Sequence, residues 1–475
     1  MDKEIVPVAN REGSPQEEDY GGEDDSDLSD ERPESISSSL ATLPDLCLIQ
    51  VFSFLPYRDR RSANLVCHHW HHVMRSPSLW RYHFFFFNGW HPRSRSECSA
   101  VAYARSLGVY LERLEVRVWP PARAIVAQRL QVTISRLFSE LTRVQAPLRS
   151  LTLTGLELDR TCWVPRLRNS LIDCLIRFLH RRASKLTSVS LNGMQNSMSQ
   201  GLHLLYALSH SQGHHDPPCY ISSLDLRGFF SNTEYVSLNS NLPHVLLQLQ
   251  GLTNLSMSYS YLSSLLLTAL QDRHRGKRWR DGKTLQTFSL HCAVNEPHHQ
   301  LVSSDSWATL ASSCPNLNVG FTVNRAITPS CFMRILLPEI PLTEFSMSTY
   351  FFFNPNWSAR PLLCDMLPQY RRCLQHLNLD LINRRESIDE ELLELVEMCE
   401  CLERLSIRAF LDMSTLARLL HIRLSQRSSL NKIKVTIYSV SDNIAEKEEQ
   451  LTEILSSHRH LPHQLDFFAM VKSMI

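Results

Sequence analysis

The sequence predicts an α/β protein: a short run of N-terminal helices, then a long solenoid of strand–loop–helix units sharing one parallel sheet. Three observations predict it. The segment apolar-x-x-apolar-x-apolar recurs from Leu111 onward at intervals of 25 to 38 residues. Helix-like apolar runs lie between many of the copies, as in Leu171–Leu179, Leu202–Leu208 and Glu391–Val396. Ahead of the series, apolar residues between Leu43 and Trp80 follow helical spacing and are punctuated by prolines.

The chain opens on charge. Residues 1 to 35 hold 13 acids against three bases, near −10, and the remaining 46 bases and 35 acids leave a body near +11. So polar and acidic a stretch cannot bury a core, so residues 1–39 are expected to be a disordered acidic leader able to shield the basic body. No apolar stretch approaches the ~18 residues of a membrane span, and Met1-Asp2-Lys3-Glu4 opens no hydrophobic signal region. The 13 cysteines are odd in number and scattered, with only Cys399 and Cys401 close together. Neither a disulfide framework nor a zinc module is expected, no membrane is expected as a partner, and a reducing cytoplasm or nucleus fits.

Order is expected from Leu40. Leu48, Val51, Phe52 and Leu55 fall at i, i+3, i+4 and i+7, one stripe of a short amphipathic helix that Pro56 ends. Asp59 suits a second helix start, and Ala63, Val66, Trp70, Val73 and Met74 mark one or two further short helices before Pro77. Three helices in so few residues bury too little apolar surface to stand alone, so they need a partner surface.

Leu43-Pro44, Leu48, Val51-Phe52, Leu55, Asp59, Val66-Cys67, Trp70 and Leu79-Trp80-Arg81 closely resemble the F-box motif. The resemblance covers roughly residues 40–82, in a domain expected over residues 40–86, and implies docking onto the small S-phase-kinase-associated adaptor. That adaptor joins a cullin scaffold and a RING subunit in an SCF-type ubiquitin ligase. The positions matching the family's docking pattern are Leu43, Pro44, Leu48, Val51, Phe52, Leu55, Val66, Cys67 and Trp70, whereas Leu79 and Trp80 are expected to seat the motif on the remainder of the chain. The sequence departs from the family at Arg60-Arg61, where an apolar residue is common, and at His68, His69, His71 and His72.

From residue 87 to 475 the repeat dominates. Its copies are Leu111/Leu114/Val116, Leu148/Leu151/Leu153, Leu186/Val189/Leu191, Ile221/Leu224/Leu226, Leu252/Leu255/Met257 and Leu285/Phe288/Leu290. Downstream lie Leu342/Phe345/Met347, Leu374/Leu377/Leu379, Leu402/Leu405/Ile407 and Leu430/Ile433/Val435, with a degenerate copy at Leu317, Phe321 and Val323. A strand with two inward apolar side chains cannot bury them alone, but stacked units share a continuous core. The array resembles irregular leucine-rich repeats, a common companion of the F-box, with Asn192 the best match to their asparagine ladder. A single βαβ domain is the runner-up, though eleven strands would be large for it.

Strand alternation assigns the opposite face to Glu115, Thr152, Ser190, Asp225, Ser256, Ser289, Ser346, Asn378, Ser406 and Lys434. Two residues away lie charged neighbours, of which Arg113, Arg117, Arg227, His376, Asp380, Arg404 and Arg408 are the candidate substrate-protein contacts. An ordinary solvated sheet face accounts for each one singly as well.

Catalytic apparatus is not visible. Gly282-Lys283-Thr284 matches the end of a phosphate-binding loop, but Lys277 stands where that loop needs glycine. The chain holds only 14 glycines, and no H-E-x-x-H, G-x-S-x-G or EF-hand loop occurs. His68 and His72 could share a helical face, yet two imidazoles do not make a zinc site. No cofactor is expected. The basic run Arg273–Lys283, with Trp279, is open to three readings: a solvated inter-repeat loop, a contact for acidic protein or import factors, or an RNA contact. No nucleic-acid fold accompanies it. The expected role is therefore non-catalytic: substrate recognition for a ubiquitin ligase, with a non-degradative scaffold or a nucleic-acid-binding protein as alternatives.

Overall fold

The computed structural model describes residues 43–89, 95–182, 185–210, 220–231, 241–249, 251–272, 284–293, 302–324, 328–349, 357–439, 444–458 and 461–473. The acidic leader, the onset at Leu40 and the basic run 273–283 lie outside the described residues. The chain divides into two compact units, Met1–Ser76 and Pro77–Ile475.

In the first unit, α1 (Asp45–Ser53), α2 (Tyr57–Ala63) and α3 (His68–Val73) succeed one another with short turns. Pro44 precedes α1 and Pro56 precedes α2, positions where a fixed φ and a missing N–H cost nothing. Asp45 in the first turn of α1 complements the helix dipole. The other end of α1 is closed from outside the helix. Arg60 donates to the carbonyls of Phe52 (3.0 Å), Ser53 (2.8 Å) and Leu55 (2.9 Å), the acceptors that a helix end leaves open. Where the family often carries an apolar residue, this chain therefore carries a cap. Leu48, Phe52, Ala63, Val73 and Met74 are buried, and Phe52 meets Trp70 edge-on with ring centroids 5.0 Å apart.

The second unit is built on one sheet of thirteen strands in sequential order. The strands are β1 (Tyr82–Phe87), β2 (Arg113–Val118), β3 (Ser150–Thr154), β4 (Ser188–Ser190), β5 (Ser223–Leu226), β6 (Asn254–Ser258) and β7 (Thr287–Cys292). They continue as β8 (Asn318–Val323), β9 (Leu342–Ser348), β10 (His376–Asp380), β11 (Arg404–Ala409), β12 (Lys432–Ser439) and β13 (Asp466–Ser473). Every neighbouring pair is parallel, as strand–helix repeats require. The intervening helices are α4 (Arg95–Leu107), α5 (Ala124–Arg143), α6 (Pro165–Arg182), α7 (Met198–His210), α8 (Leu242–Gln248) and α9 (Ser264–Asp272). After them come α10 (Ser304–Ser313), α11 (Pro329–Ile335), α12 (Asp389–Met398), α13 (Met413–Ser425) and α14 (Ile444–Ser457). Between β9 and β10 the crossover is made of two short helical turns, Leu362–Met366 and Leu367–Tyr370.

Buried strand side chains meet the helices. Phe85 touches Tyr103 of α4 (5.7 Å), Phe288 touches Trp307 of α10 (6.0 Å) and Phe345 touches Phe332 of α11 (6.4 Å). Helices in turn pack on the next helix, as where Phe138 of α5 and Phe178 of α6 lie 4.4 Å apart. The opposite sheet face is left open.

Three details go beyond the sequence pattern. The sheet begins at Tyr82 and the compact boundary at Pro77, so the first strand overlaps the end of the 40–86 motif. Leu79 and Trp80 are buried in the second unit, where the Tyr103 hydroxyl donates to the Trp80 carbonyl at 3.3 Å. The outer strands β1 and β13 have no copy in the sequence pattern, because Tyr-His-Phe-Phe-Phe-Phe and Asp-Phe-Phe-Ala-Met-Val-Lys-Ser place apolar residues on both faces.

The triplets also do not align as one ladder. Leu290 pairs with Phe321 and Phe321 with Phe345, so the third position of the early copies lies level with the second position of the late ones. The cause is local: β8 enters one residue early, with Leu317 two residues rather than three before the first buried strand residue Val319, and the strand bulges at Val319/Gly320.

Among the described residues the Asn192 side chain makes no hydrogen bond to a neighbouring unit. Such bonds come instead from Ser258, whose Oγ accepts from the Gly228 N–H (2.9 Å), from Thr349, whose Oγ1 accepts from Ile382 (3.0 Å), and from Asn383. Asn383 accepts from the Phe410 N–H and donates to the Phe410 carbonyl, both at 2.8 Å. Turns after β3 and β4 are closed by Gly155 and Gly193 at φ +75° and +66°, where a side chain would be strained.

Candidate functional site

Two surfaces are available for recognition, one in each unit. On the helical trio, apolar side chains divide into an inner and an outer set. Leu46 (81% exposed), Phe54 (78%), Leu65 (84%) and Val66 (62%) project outward with Val51 (45%), and Pro44, Cys47 and Cys67 are exposed beside them in sequence. So many outward apolar side chains on so small a unit leave apolar area that no described part of the chain covers.

The expected adaptor residues are distributed unevenly over the two sets. Pro44, Val51, Val66 and Cys67 are exposed, while Leu43, Leu55 and Trp70 are half-buried. Leu48 and Phe52 are correctly placed on the helix but buried, at 0% and 1% exposure, so they hold the trio together rather than offer contact. The single stripe read from i, i+3, i+4, i+7 spacing splits because α1 ends at Ser53, leaving Leu55 outside the helix. Spacing does not single out Leu46, Phe54 and Leu65. They lie off the stripe, and only an apolar residue facing water marks them. Cys67 has a local task, its Sγ accepting from the Trp70 backbone N–H at 3.4 Å to cap α3. The histidines of α3 bind locally too: His69 Nε2 lies 2.7 Å from Asp45 Oδ1, and His71 Nδ1 lies 3.3 Å from the Asn64 carbonyl.

The second surface is the open sheet face. In register, Glu115, Thr152, Ser190, Asp225, Ser256 and Ser289 form one row, as expected. That row continues through Gly320, Glu344, His376, Arg404 and Lys432, whereas Ser346, Asn378, Ser406 and Lys434 belong to the next row along. The two-residue step at β8 is responsible. The hydroxyl floor therefore covers the early strands, and charge concentrates on the late ones.

The seven candidate substrate residues form separate groups. Arg113 and Arg117 are on β2, His376 and Asp380 on β10, and Arg404 and Arg408 on β11. Eight strand spacings of about 4.8 Å separate the first group from β10, about 38 Å in all. Several are already engaged. Arg227 grips Asp225 with two parallel hydrogen bonds (2.9 and 2.8 Å), which keeps its guanidinium pKa above the ordinary range. Arg117 binds Glu115 at 2.6 Å and lies over the Phe84 ring, 5.1 Å from its centroid. Arg408 pairs with Asp380 at 3.5 Å, and His376 approaches Glu403 at 4.0 Å. Arg113 and Arg404 have no ion pair among the described residues.

A feature without sequence warning lies on β1. Tyr82, Phe84 and Phe86 face the open side at 53%, 39% and 44% exposure, joined by Trp119 at 53%. Tyr82 donates to Glu115 at 3.0 Å, and partial burial together with that carboxylate raises the phenol above its ordinary pKa.

Among the described residues no three His, Cys, Asp or Glu side chains gather at metal-binding distance, and no helix is long and apolar enough to cross a membrane. Burial pushes the Cys399 thiol up to about 12, leaving it protonated and unreactive.

The comparisons match the N-terminal segment. A family model described as F-box-like matches residues 40–86. F-box/LRR-repeat protein 12 of Bos taurus is 44% identical over 45 residues, 10% of this chain and 14% of that protein. The Mus musculus protein of the same name gives the same identity and coverage. The chain thus spans 14% of the length of these curated relatives. A crystal structure of a TLR13–ssRNA13 complex covers 79% of this chain and 51% of that one at 11% identity and a TM-score of 0.34, a likeness that carries no argument. The register of the sheet itself establishes the array. The chain therefore carries an F-box-like segment at residues 40–86, followed in sequence by a leucine-rich-repeat-like array of stacked strand–helix units.

Proposed function

We propose that this chain is the substrate-recognition subunit of an SCF-type ubiquitin ligase. The observation that carries the reading is the outward apolar set of Leu46, Val51, Phe54, Leu65 and Val66 on a unit too small to waste it. In this reading the trio docks on the S-phase-kinase-associated adaptor, and a cullin scaffold and RING subunit join through the adaptor. The open sheet face grips a substrate protein. The chain performs no chemistry of its own. It raises the local concentration of substrate lysines near the charged ubiquitin carrier, replacing a bimolecular encounter by a tethered one. The cytoplasm or nucleus is the proposed compartment, where such a ligase and thirteen scattered cysteines are compatible.

The test is affinity capture with the full chain beside a chain lacking residues 43–76, followed by ubiquitin transfer on the captured material. Adaptor, cullin and RING subunit are expected to be lost with the deletion while sheet-bound partners remain. Retention of the adaptor by the deleted chain contradicts the reading. Captured partners that never receive ubiquitin convert it to a scaffold.

A further inference from the structure

The late strands of the open face hold two cations that have no ion pair among the described residues. Across β9 to β13, one row is Glu344, His376, Arg404, Lys432 and Asp466, and the next is Ser346, Asn378, Ser406, Lys434 and Phe468. Most charges here are paired: Lys432 with Asp466, Arg408 with Asp380, and His376 near Glu403. Arg404 and Lys434 have no ion pair among the described residues. Lys432 and Lys434 together hold the Asp466 carboxyl below its ordinary pKa, but Asp466 hydrogen-bonds Lys432 alone.

Arg404 and Lys434 lie diagonally on adjacent strands, one position apart in facing. Strand spacing of about 4.8 Å and a rise of about 3.3 Å per residue put their Cα atoms about 8 Å apart. Between them opens a pocket of ≈ 190 Å³ lined also by His376, Asn378, Ser406 and Lys432, with Glu344 at one side. Like charges on neighbouring strands repel, so an arrangement that keeps both at the rim of a pocket is poised for an anion from outside. Asn378 already donates to Ser346 at 3.0 Å, which fixes the amide as part of the pocket wall.

We propose that this pocket is the point at which the sheet engages an acidic segment of its partner protein, a carboxylate seating between Arg404 and Lys434. The inference rests on the substrate-receptor reading and names its ligand class. Charge complementarity selects the occupant: an extended peptide with acids at its centre matches the two cations, and a base to one side matches Glu344. The aromatic strip on β1 lies at the opposite end of the sheet and takes no part.

The test is fluorescence anisotropy with a labelled peptide alternating Glu with Thr, against the same peptide with Gln for Glu and a neutral peptide with one phosphothreonine. The full chain and a chain starting at residue 36 are both titrated. The Glu peptide is expected to bind at low salt and the Gln peptide not to. Arg404→Glu with Lys434→Glu is expected to weaken binding at least about tenfold, whereas Arg334→Glu on α11, away from the open sheet face, leaves it unchanged. All three positions are exposed, and Arg404→Lys with Lys434→Arg keeps the charge and is expected to keep binding. Unaltered affinity in the double charge reversal, equal loss in Arg334→Glu, or binding of the phosphothreonine peptide alone overturns the assignment. Adaptor capture by the same variants is read in parallel: its persistence alongside a failed peptide titration rejects this site only, and its absence in the wild type rejects the receptor reading.

Discussion

Phe52 and Phe54 are two residues apart, yet the structure gives them opposite roles, and replacing each by alanine separates folding from docking. Phe54 at 78% exposure and Leu65 at 84% bury little within the chain, so Phe54→Ala with Leu65→Ala should alter stability by no more than about 0.5 kcal/mol. On a partner surface each would be covered, and a large apolar side chain fully buried is worth about 1.5–3 kcal/mol. Losing both removes about 3–6 kcal/mol, roughly a hundredfold to ten-thousandfold in Kd. Phe52→Ala instead empties a site at 1% exposure against Trp70 and costs about 3–5 kcal/mol of folding, more than a trio of this size can lose. Calorimetric titration of the purified adaptor, with far-ultraviolet circular dichroism melts of each variant, distinguishes the two. The double variant should melt like wild type and fail to bind. If it binds the adaptor within a factor of about two of wild type, the outward set is not the docking face.

Other expectations test the supports. Asn383→Ala leaves the Phe410 N–H without its acceptor and should destabilise the array by about 2–4 kcal/mol in urea titration, with hydrogen exchange rising around β10 and β11 and little change at β2. Arg60→Ala opens the end of α1 and should cost about 1–2 kcal/mol, read as faster amide exchange at residues 52–55, with Arg60→Lys only partly restoring it. Burial, with Arg227 nearby, lowers the His291 pKa from the ordinary 6.5, so below that pH the unfolded chain takes up a proton that the folded chain resists. Stability should be full above pH 6.5 and decline as pH falls beneath it, and His291→Gln should flatten that decline in melts across the window.

The repeat is legible because each unit must turn two apolar side chains inward, which writes Leu-x-x-Leu-x-Leu into the chain whatever the loops do. Strand alternation likewise places Asp225, His376 and Arg404 on the open face. What spacing does not carry is register between units. A two-residue displacement, gathered at the early entry of β8 and the irregularity it shares with β9, brings Glu344, His376 and Arg404 into the row of Ser289, and only pairing reveals it. The edge strands escape the pattern for a related reason, since Phe84 and Phe86 face outward and abolish the alternation by which strands are recognised. In the trio, helical spacing sets Phe52 on the stripe with Leu48 and Phe54 off it, but it does not tell whether that stripe faces a partner or the unit's own interior, and the structure turns it inward. An asparagine ladder points to Asn192, whereas hydroxyls serve at other turns, Ser258 accepting from the Gly228 N–H of the unit before it and Thr349 from the Ile382 N–H of the unit after it.

The account stands most directly on hydrogen exchange of the full chain with and without the purified adaptor. Amides of residues 45–54 and 62–70 are expected to slow when adaptor is added, while those of residues 404–436 exchange at an unchanged rate. Equal exchange in the trio with and without adaptor, or slowing confined to the sheet, would contradict it.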